Sequence, residues 1–303
     1  MMIKKMFLAI LAVGVFASSC SNDDDNSAAT TANLTLDFQQ GDQKLDELGA
    51  GYVYEGWIIV DGSPVSTGTF SSVTFPQSFT VDAVQLAAAT RFVLTIEPAG
   101  ETGVEAETPA DTKILAGDFS GSTASVNTEV VGDFSNASGK YILATPTDND
   151  MTNEASGVWF LDNTNAPPPV AGLEGLPVLP AGWKYEGWAV VNGTPLSTGT
   201  FTNVSATDDG APYSGSVALP MPNGADGFFP GEDFLENAPE GLTFPLDLKE
   251  KTIVISVEPS PDNSPAPFTL KPLAHMVPAD AMDHTPISMG VGPVVSLKAT
   301  VTR

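Results

Sequence analysis

Tyr54-Glu55-Gly56-Trp57-Ile58-Ile59-Val60-Asp61-Gly62-Ser63-Pro64-Val65-Ser66-Thr67-Gly68-Thr69-Phe70 returns 131 residues later as Tyr185-Glu186-Gly187-Trp188-Ala189-Val190-Val191-Asn192-Gly193-Thr194-Pro195-Leu196-Ser197-Thr198-Gly199-Thr200-Phe201. Twelve of the seventeen positions are identical. Where the copies differ they keep the same chemistry. Asp61-Gly62 becomes Asn192-Gly193, and both dipeptides suit a two-residue hairpin turn whose central residues need positive φ. The residues on either side then form paired strands, Tyr54–Val60 with Val65–Phe70 in the first copy. The wider match runs from Leu48 to Val73 and from Leu179 to Val204. A repeat this long indicates two copies of one domain.

Beyond the hairpin, Phe92-Val93-Leu94-Thr95-Ile96-Glu97-Pro98 matches Ile253-Val254-Ile255-Ser256-Val257-Glu258-Pro259, now at an offset of 161. Each is a β-branched, apolar run stopped by a proline that has no N–H for a sheet ladder. The second copy therefore holds 30 more residues between its hairpin and this strand. Further strands are expected at Leu34–Phe38, Ser125–Val131, Tyr141–Thr145, Val158–Leu161 and Val294–Val301, with one short helical turn at Gln85–Thr90. Short strands punctuated by Gly, Pro, Asn and Asp indicate an all-β fold: two tandem, immunoglobulin-like β-sandwich domains. The expected division places the first at 31–163 and the second at 170–303, separated by a stiff linker at Pro167-Pro168-Pro169. Val158–Leu161 fits either domain.

The chain has 303 residues, 37 acidic and 12 basic side chains, two His and one Cys. A net charge of −25 argues against nucleic-acid binding, because a polyanion is repelled and no counterion release drives association. At 42% hydrophobic residues the chain can bury a core. One cysteine excludes a disulfide framework and a cysteine-rich zinc site.

Lys4 and Lys5 precede an apolar run from Met6 to Ala17. Twelve residues are too few for a membrane-spanning helix and suit the centre of a secretory signal. Ala17-Ser18-Ser19-Cys20 resembles the lipobox of bacterial lipoproteins. The resemblance implies removal of residues 1–19 and acylation of Cys20, the membrane partner then being a lipid bilayer entered by fatty chains alone. Ser21-Asn22-Asp23-Asp24-Asp25-Asn26 resembles the acid-rich export signal of surface lipoproteins in some Gram-negative bacteria; it equally suits a disordered, acidic tether over 20–30. The expected location is the outer membrane, facing periplasm or cell surface.

The order Tyr-Glu-Gly-Trp, hairpin, Gly-Thr-Phe, a strand ending Glu-Pro and then Ile114-Leu115-Ala116-Gly117 resembles the extracytoplasmic C-terminal domain of the anti-sigma-K factor (RskA-like) family. The resemblance covers Leu48 to Gly117 in copy one. In copy two it departs after Glu258-Pro259, where Pro261, Pro265 and Pro267 follow. It implies sensing or interaction, without the cytoplasmic inhibitory domain or membrane helix of such a factor.

Candidate chemistry is sparse. Glu and the Trp two residues on share one strand face, so Glu55 with Trp57 and Glu186 with Trp188 suit either a sugar platform or a packed structural pair. Repetition in both copies favours packing. Glu97 and Glu258 lie in separate copies, too far apart for a catalytic carboxylate pair. His275 and His284 sit among Met276, Met282, Asp283 and Met289, a soft-ligand set without a familiar metal spacing; no metal or other cofactor is expected. Asp148–Glu154 is oxygen-rich but lacks the calcium-loop pattern. Thr207–Pro245 holds seven acids and no Lys or Arg. Phe228, Phe229, Asp233, Phe234 and Glu236 in that long insertion are the candidate binding surface for a cationic or protein partner, unless the aromatics fold back onto the sandwich. No nucleophile elbow, P-loop or dinucleotide fingerprint is present. The expected function is non-enzymatic binding, with a glycan-binding lipoprotein as the alternative. A buried cleft where several acids meet would count against the first reading.

Overall fold

The computed structural model describes residues 30–38, 44–165, 167–219, 229–261 and 264–303. The signal segment, Cys20, nearly all of the tether and Phe228 lie outside them. In chain order the first strands are β1 (Thr31–Asp37), β2 (Tyr52–Val60), β3 (Ser63–Phe70), β4 (Gln77–Asp82), β5 (Arg91–Pro98), β6 (Lys113–Ser120) and β7 (Thr123–Asn127), with helix α1 (Ala83–Ala88) after β4. Then come β8 (Ser138–Leu143), β9 (Gly157–Trp159), β10 (Leu161–Asp162), β11 (Val170–Ala171) and β12 (Leu173–Glu174). The second hairpin follows as β13 (Trp183–Val191) and β14 (Thr194–Phe201). The chain closes with β15 (Gly231–Asp233), β16 (Thr252–Pro259), β17 (Lys271–Met276), β18 (Ile287–Val294) and β19 (Lys298–Thr302). The architecture is all-β, as expected.

The hairpins form as their turns dictate. Asp61 and Gly62 have φ of 50° and 80°, Asn192 and Gly193 of 53° and 85°. Each hairpin also carries a bulge. Gly56 faces Gly68 while Trp57 faces Ser66, which leaves Thr67 as the extra residue; Gly187, Trp188 and Thr198 repeat this. The bulge explains the glycines. A Cβ on Gly187 would come within 2.8 Å of the Phe160 ring and closer still to the Thr198 hydroxyl. Pro64 and Pro195 lie on β3 and β14, which end their sheets, so the missing N–H breaks no ladder.

Two large sheets result. One has the order β3-β2-β5-β6-β7-β19-β1-β4, the other β14-β13-β16-β17-β18-β8-β9-β15. The first curls over its own core until its outermost strands approach, with Phe70 of β3 and Phe79 of β4 at 5.6 Å. Tyr54, Ile58, Phe92, Leu94 and Ile114 are fully buried inside it. Its outer face is covered too, around Trp57, Val93 and Ala116, against which Val130 packs. Coverage of both faces explains why β5 reads as a continuous apolar run rather than an alternation.

The sheets correct the expected division at 163/170. Strand β8, assigned by sequence to the first domain, lies in the second sheet together with β9, which fitted either, and β19, assigned to the second domain, lies in the first. The expected strand Val294–Val301 is two strands, broken at 295–297. The proline run is not a spacer: β10 and β11 pair with Asp162 opposite Val170, so the chain turns back across it. Sequence periodicity identifies strands and says nothing of which neighbour each finds.

Candidate functional site

The residues repeated between the copies bond to each other. Trp57 Nε1 donates to Thr95 Oγ1 at 2.9 Å, and the Thr95 hydroxyl donates to Glu97 Oε1, which also accepts from Ala110 N at 2.8 Å. The second copy repeats each step: Trp188 Nε1 to Ser256 Oγ at 2.7 Å, Ser256 to Glu258, and Phe268 N to Glu258 Oε1 at 2.8 Å. Glu55 accepts from Ser66 Oγ, and Glu186 from Ser197 Oγ. These carboxyls lie under the chain, with Glu97 2% and Glu186 3% exposed. Burial raises the pKa of Glu97 and of Glu55, against the hydroxyl hydrogen bonds that lower it. Such a relay satisfies buried polar atoms and ties β2 to β5 and to the following loop.

All four tryptophans are at most 3% exposed. None offers a ring face to a sugar, so the platform that motivated the glycan alternative is absent. Within each copy the sheet sets the strand bearing Glu55 beside the strand bearing Glu97, a neighbourhood that a comparison of Glu97 with Glu258 alone misses.

The 30 extra residues of the second copy build something the first lacks. A cleft of about 420 Å³ opens between Thr207–Leu219 and the strand pair β9/β15, with Trp159, Phe229 and Leu219 as apolar walls and Asp208, Asp209 and Ser214 as polar ones. Gly231 is needed here, because a Cβ would fall within 2.6 Å of the Trp159 ring. Acids do converge beside it. Asp208 accepts from Gly231 N at 2.8 Å and Gly210 N at 3.3 Å, and burial pushes its pKa up to about 7. Glu232, with no exposed surface, accepts from Ser214 Oγ and from Asp233 N at 3.0 Å. Burial, and then the Asp208 charge, push it up to about 8. Its Oε2 has no hydrogen-bond partner. Asp233 takes the Thr147 amide at 2.8 Å, the Thr147 hydroxyl at 2.5 Å and Trp159 Nε1 at 2.7 Å; burial still raises it to about 6. Asp209 is the exposed acid of the cleft, and Lys184 holds its pKa down.

The expected binding surface is thus largely inside. Phe229 (3% exposed) packs with Trp159 and Leu161, Phe234 is fully buried beside Tyr213 and Phe244, and Asp233 is buried as described. Only Glu236 of the described candidates is exposed. The aromatics fold back because an apolar ring gains more under the sheet than in water. Phe229 and Asp233 still matter, as wall and support of the cleft. Thr147, Trp159 and Asp208 were missed as site residues; only the length of the insertion pointed there.

The remaining candidates do not converge. His275 Nδ1 lies 3.0 Å from the Tyr141 hydroxyl, and His284 Nε2 lies 3.2 Å from Glu154 Oε2. Met289 is buried while Met276 and Met282 face solvent. Asp148 and Asp150 accept from amides and side chains of their own loop. Among the described residues no group of three or more His, Cys, Asp or Glu is placed to hold a metal ion, and no helix is long and apolar enough to cross a membrane.

Residues 10–113 match the family model of the anti-sigma-K factor RskA C-terminal domain. The match covers about a third of the chain and ends at the first residue of β6. It takes in the first hairpin, the Trp57–Thr95–Glu97 relay and Ala110, so the RskA-like pattern coincides with the buried scaffold. The cleft lies outside it. Neither curated proteins nor solved structures gave a match to this chain.

Proposed function

We propose that this chain is a non-enzymatic binding lipoprotein, anchored by acylated Cys20 in the outer membrane, whose RskA-like scaffold carries a docking cleft on its second module. The observation that supports this most is the contrast between copies. What they share is a buried scaffold in which Trp, Ser/Thr and Glu side chains bond to one another; among the described residues the acidic, aromatic-walled cleft belongs to the second copy. Functional loops are commonly grafted onto rigid sheets in this way.

The acids beside the cleft argue less for catalysis than their number suggests. Asp233 is held by three donors and Asp208 by two backbone amides, so neither is free to move protons. Glu232 is sealed from solvent. Both histidines are engaged with other partners, and the carboxyl that Ser214 Oγ bonds, Glu232, has no exposed surface from which to pass on a proton. The apolar walls and the exposed Asp209 suit a partner presenting a cationic group beside an apolar one.

A photo-crosslinking amino acid placed at Ala211, in the cleft, and at Val84, on the first module, tests the proposal in living cells. The expected result is a discrete adduct from position 211 and none from 84. Equal adducts from both positions, or none from either, would refute a docking role for the cleft. Loss of the protein from the outer-membrane fraction in Cys20→Ala tests the anchor.

A further inference from the structure

The two sheets have the same strand order once equivalent strands are matched: β3, β2, β5, β6, β7 and β1 with β14, β13, β16, β17, β18 and β9. Each has one strand out of sequence. Between β7 and β1 stands β19, and between β18 and β9 stands β8. Yet β8 is the strand that follows β7 along the chain, and β19 the one that follows β18.

The two displaced strands are equivalent. Lys140-Tyr141-Ile142-Leu143 corresponds to Lys298-Ala299-Thr300-Val301 at an offset of 158, the offset that also relates Lys113-Ile114-Leu115-Ala116 to Lys271-Pro272-Leu273-Ala274. Tyr141 and Leu143 are buried on β8 as Ala299 and Val301 are on β19. Both pair antiparallel on both sides: Val301 with Ala124 and Leu36, Tyr141 with Ile287 and Leu143 with Val158. The two connections that cross between the sheets touch, Leu297 N donating to Thr128 Oγ1 at 3.1 Å. Phe134, on one of them, packs edge-on against Tyr185 of the other module.

We infer that each module is a strand acceptor completed by the equivalent strand of its neighbour, so that the pair is a reciprocal strand exchange within one chain. The exchange, rather than the loop joining the modules, holds the molecule together. A second copy of this chain presents the same strand to the same slot, so acceptor and donor segments from different molecules are interchangeable on folding. Neither β8 nor β19 sits at a sheet edge, so neither leaves its slot without breaking two ladders and opening a core. An envelope protein built this way stays one particle after its backbone is cut between the modules.

The test cuts the full chain. A site-specific protease sequence is inserted at Met151, which is 73% exposed in the loop after β8, or after the exposed Asn165 should the first insertion impair folding. Cleavage at 151 separates β8, with the first module, from β9 onward; cleavage after 165 leaves β9 and β10 on the first fragment as well. The fragments are expected to co-elute on size exclusion and to part only at denaturant concentrations that unfold the sheets. Cut protein carrying a heavy isotope, mixed natively with unlabelled cut protein, is expected to give no hybrid particles. Unfolding and refolding the mixture is expected to give hybrids in the statistical 1:2:1 ratio. Fragments that separate natively at either cut, hybrids that form on native mixing, or refolding without hybrids would overturn the inference.

Discussion

Replacing Glu232 by Gln interrogates the acid cluster through its pH dependence. In the fold the carboxyl titrates near 8, raised first by burial and then by Asp208, against an ordinary value of 4.5. Between those values the folded chain binds a proton that the unfolded chain has released. Stability from this group is therefore fully present below pH 4.5 and is lost as pH rises toward 8. Each pH unit in the window is worth about 1.4 kcal/mol. From pH 5 to pH 8 the wild type should lose about 4 kcal/mol through Glu232, and about 2 kcal/mol if the surroundings relax around the charge. Gln keeps an acceptor for Ser214 and for the Asp233 amide but cannot ionise. Urea titrations followed by the buried tryptophans at pH 5, 6, 7 and 8 measure the difference. Asp208 and Asp233 are present in both proteins, so the gap between the two curves reports Glu232 together with its coupling to Asp208. Parallel curves across the range would show the carboxylate to be solvated in the fold and would refute the burial argument.

Gly187→Ala drives a Cβ to 2.8 Å from the Phe160 ring at the second bulge and is expected to lower stability by about 1–3 kcal/mol, measurable as a drop in Tm, whereas Gly210→Ala meets nothing closer than 3.7 Å and should change it little. Trp57→Phe removes the donor to Thr95 Oγ1 in the first copy and Trp188→Phe the donor to Ser256 in the second; each should cost about 1–3 kcal/mol in urea unfolding, and an exposed, dispensable Trp would show no such loss. Arg303→Ala removes hydrogen bonds to the carbonyls of Leu86, Ala89 and Gly121 and a cation–π contact over Phe119 at 4.4 Å. Amide hydrogen exchange should quicken in α1 and at the end of β19 while β13 and β16 stay unchanged.

Much of the local structure was legible before any coordinates. The Asp-Gly and Asn-Gly turns demanded hairpins because few residue pairs tolerate two positive φ angles. Proline after Glu97 and Glu258 marked strand ends because proline cannot donate. The buried role of Glu55, Trp57 and their counterparts followed from their being kept in both copies of the repeat. These are properties of short segments, and short-range sterics and hydrogen-bonding capacity determine them.

Partnership between distant segments was decided only in three dimensions. Nothing in Lys298-Ala299-Thr300-Val301 specifies that it lies between β7 and β1 rather than in its own module, because its alternating pattern fits either slot. Asp208 and the Glu232-Asp233 pair stand more than twenty residues apart in the sequence, and only burial in the fold moves their proton affinities. Phe229 and Phe234 looked available until the chain folded them inward. Pairing across more than a hundred residues depends on which closed arrangement buries the apolar faces of both sheets at once, and that is a property of the whole chain rather than of any stretch of it.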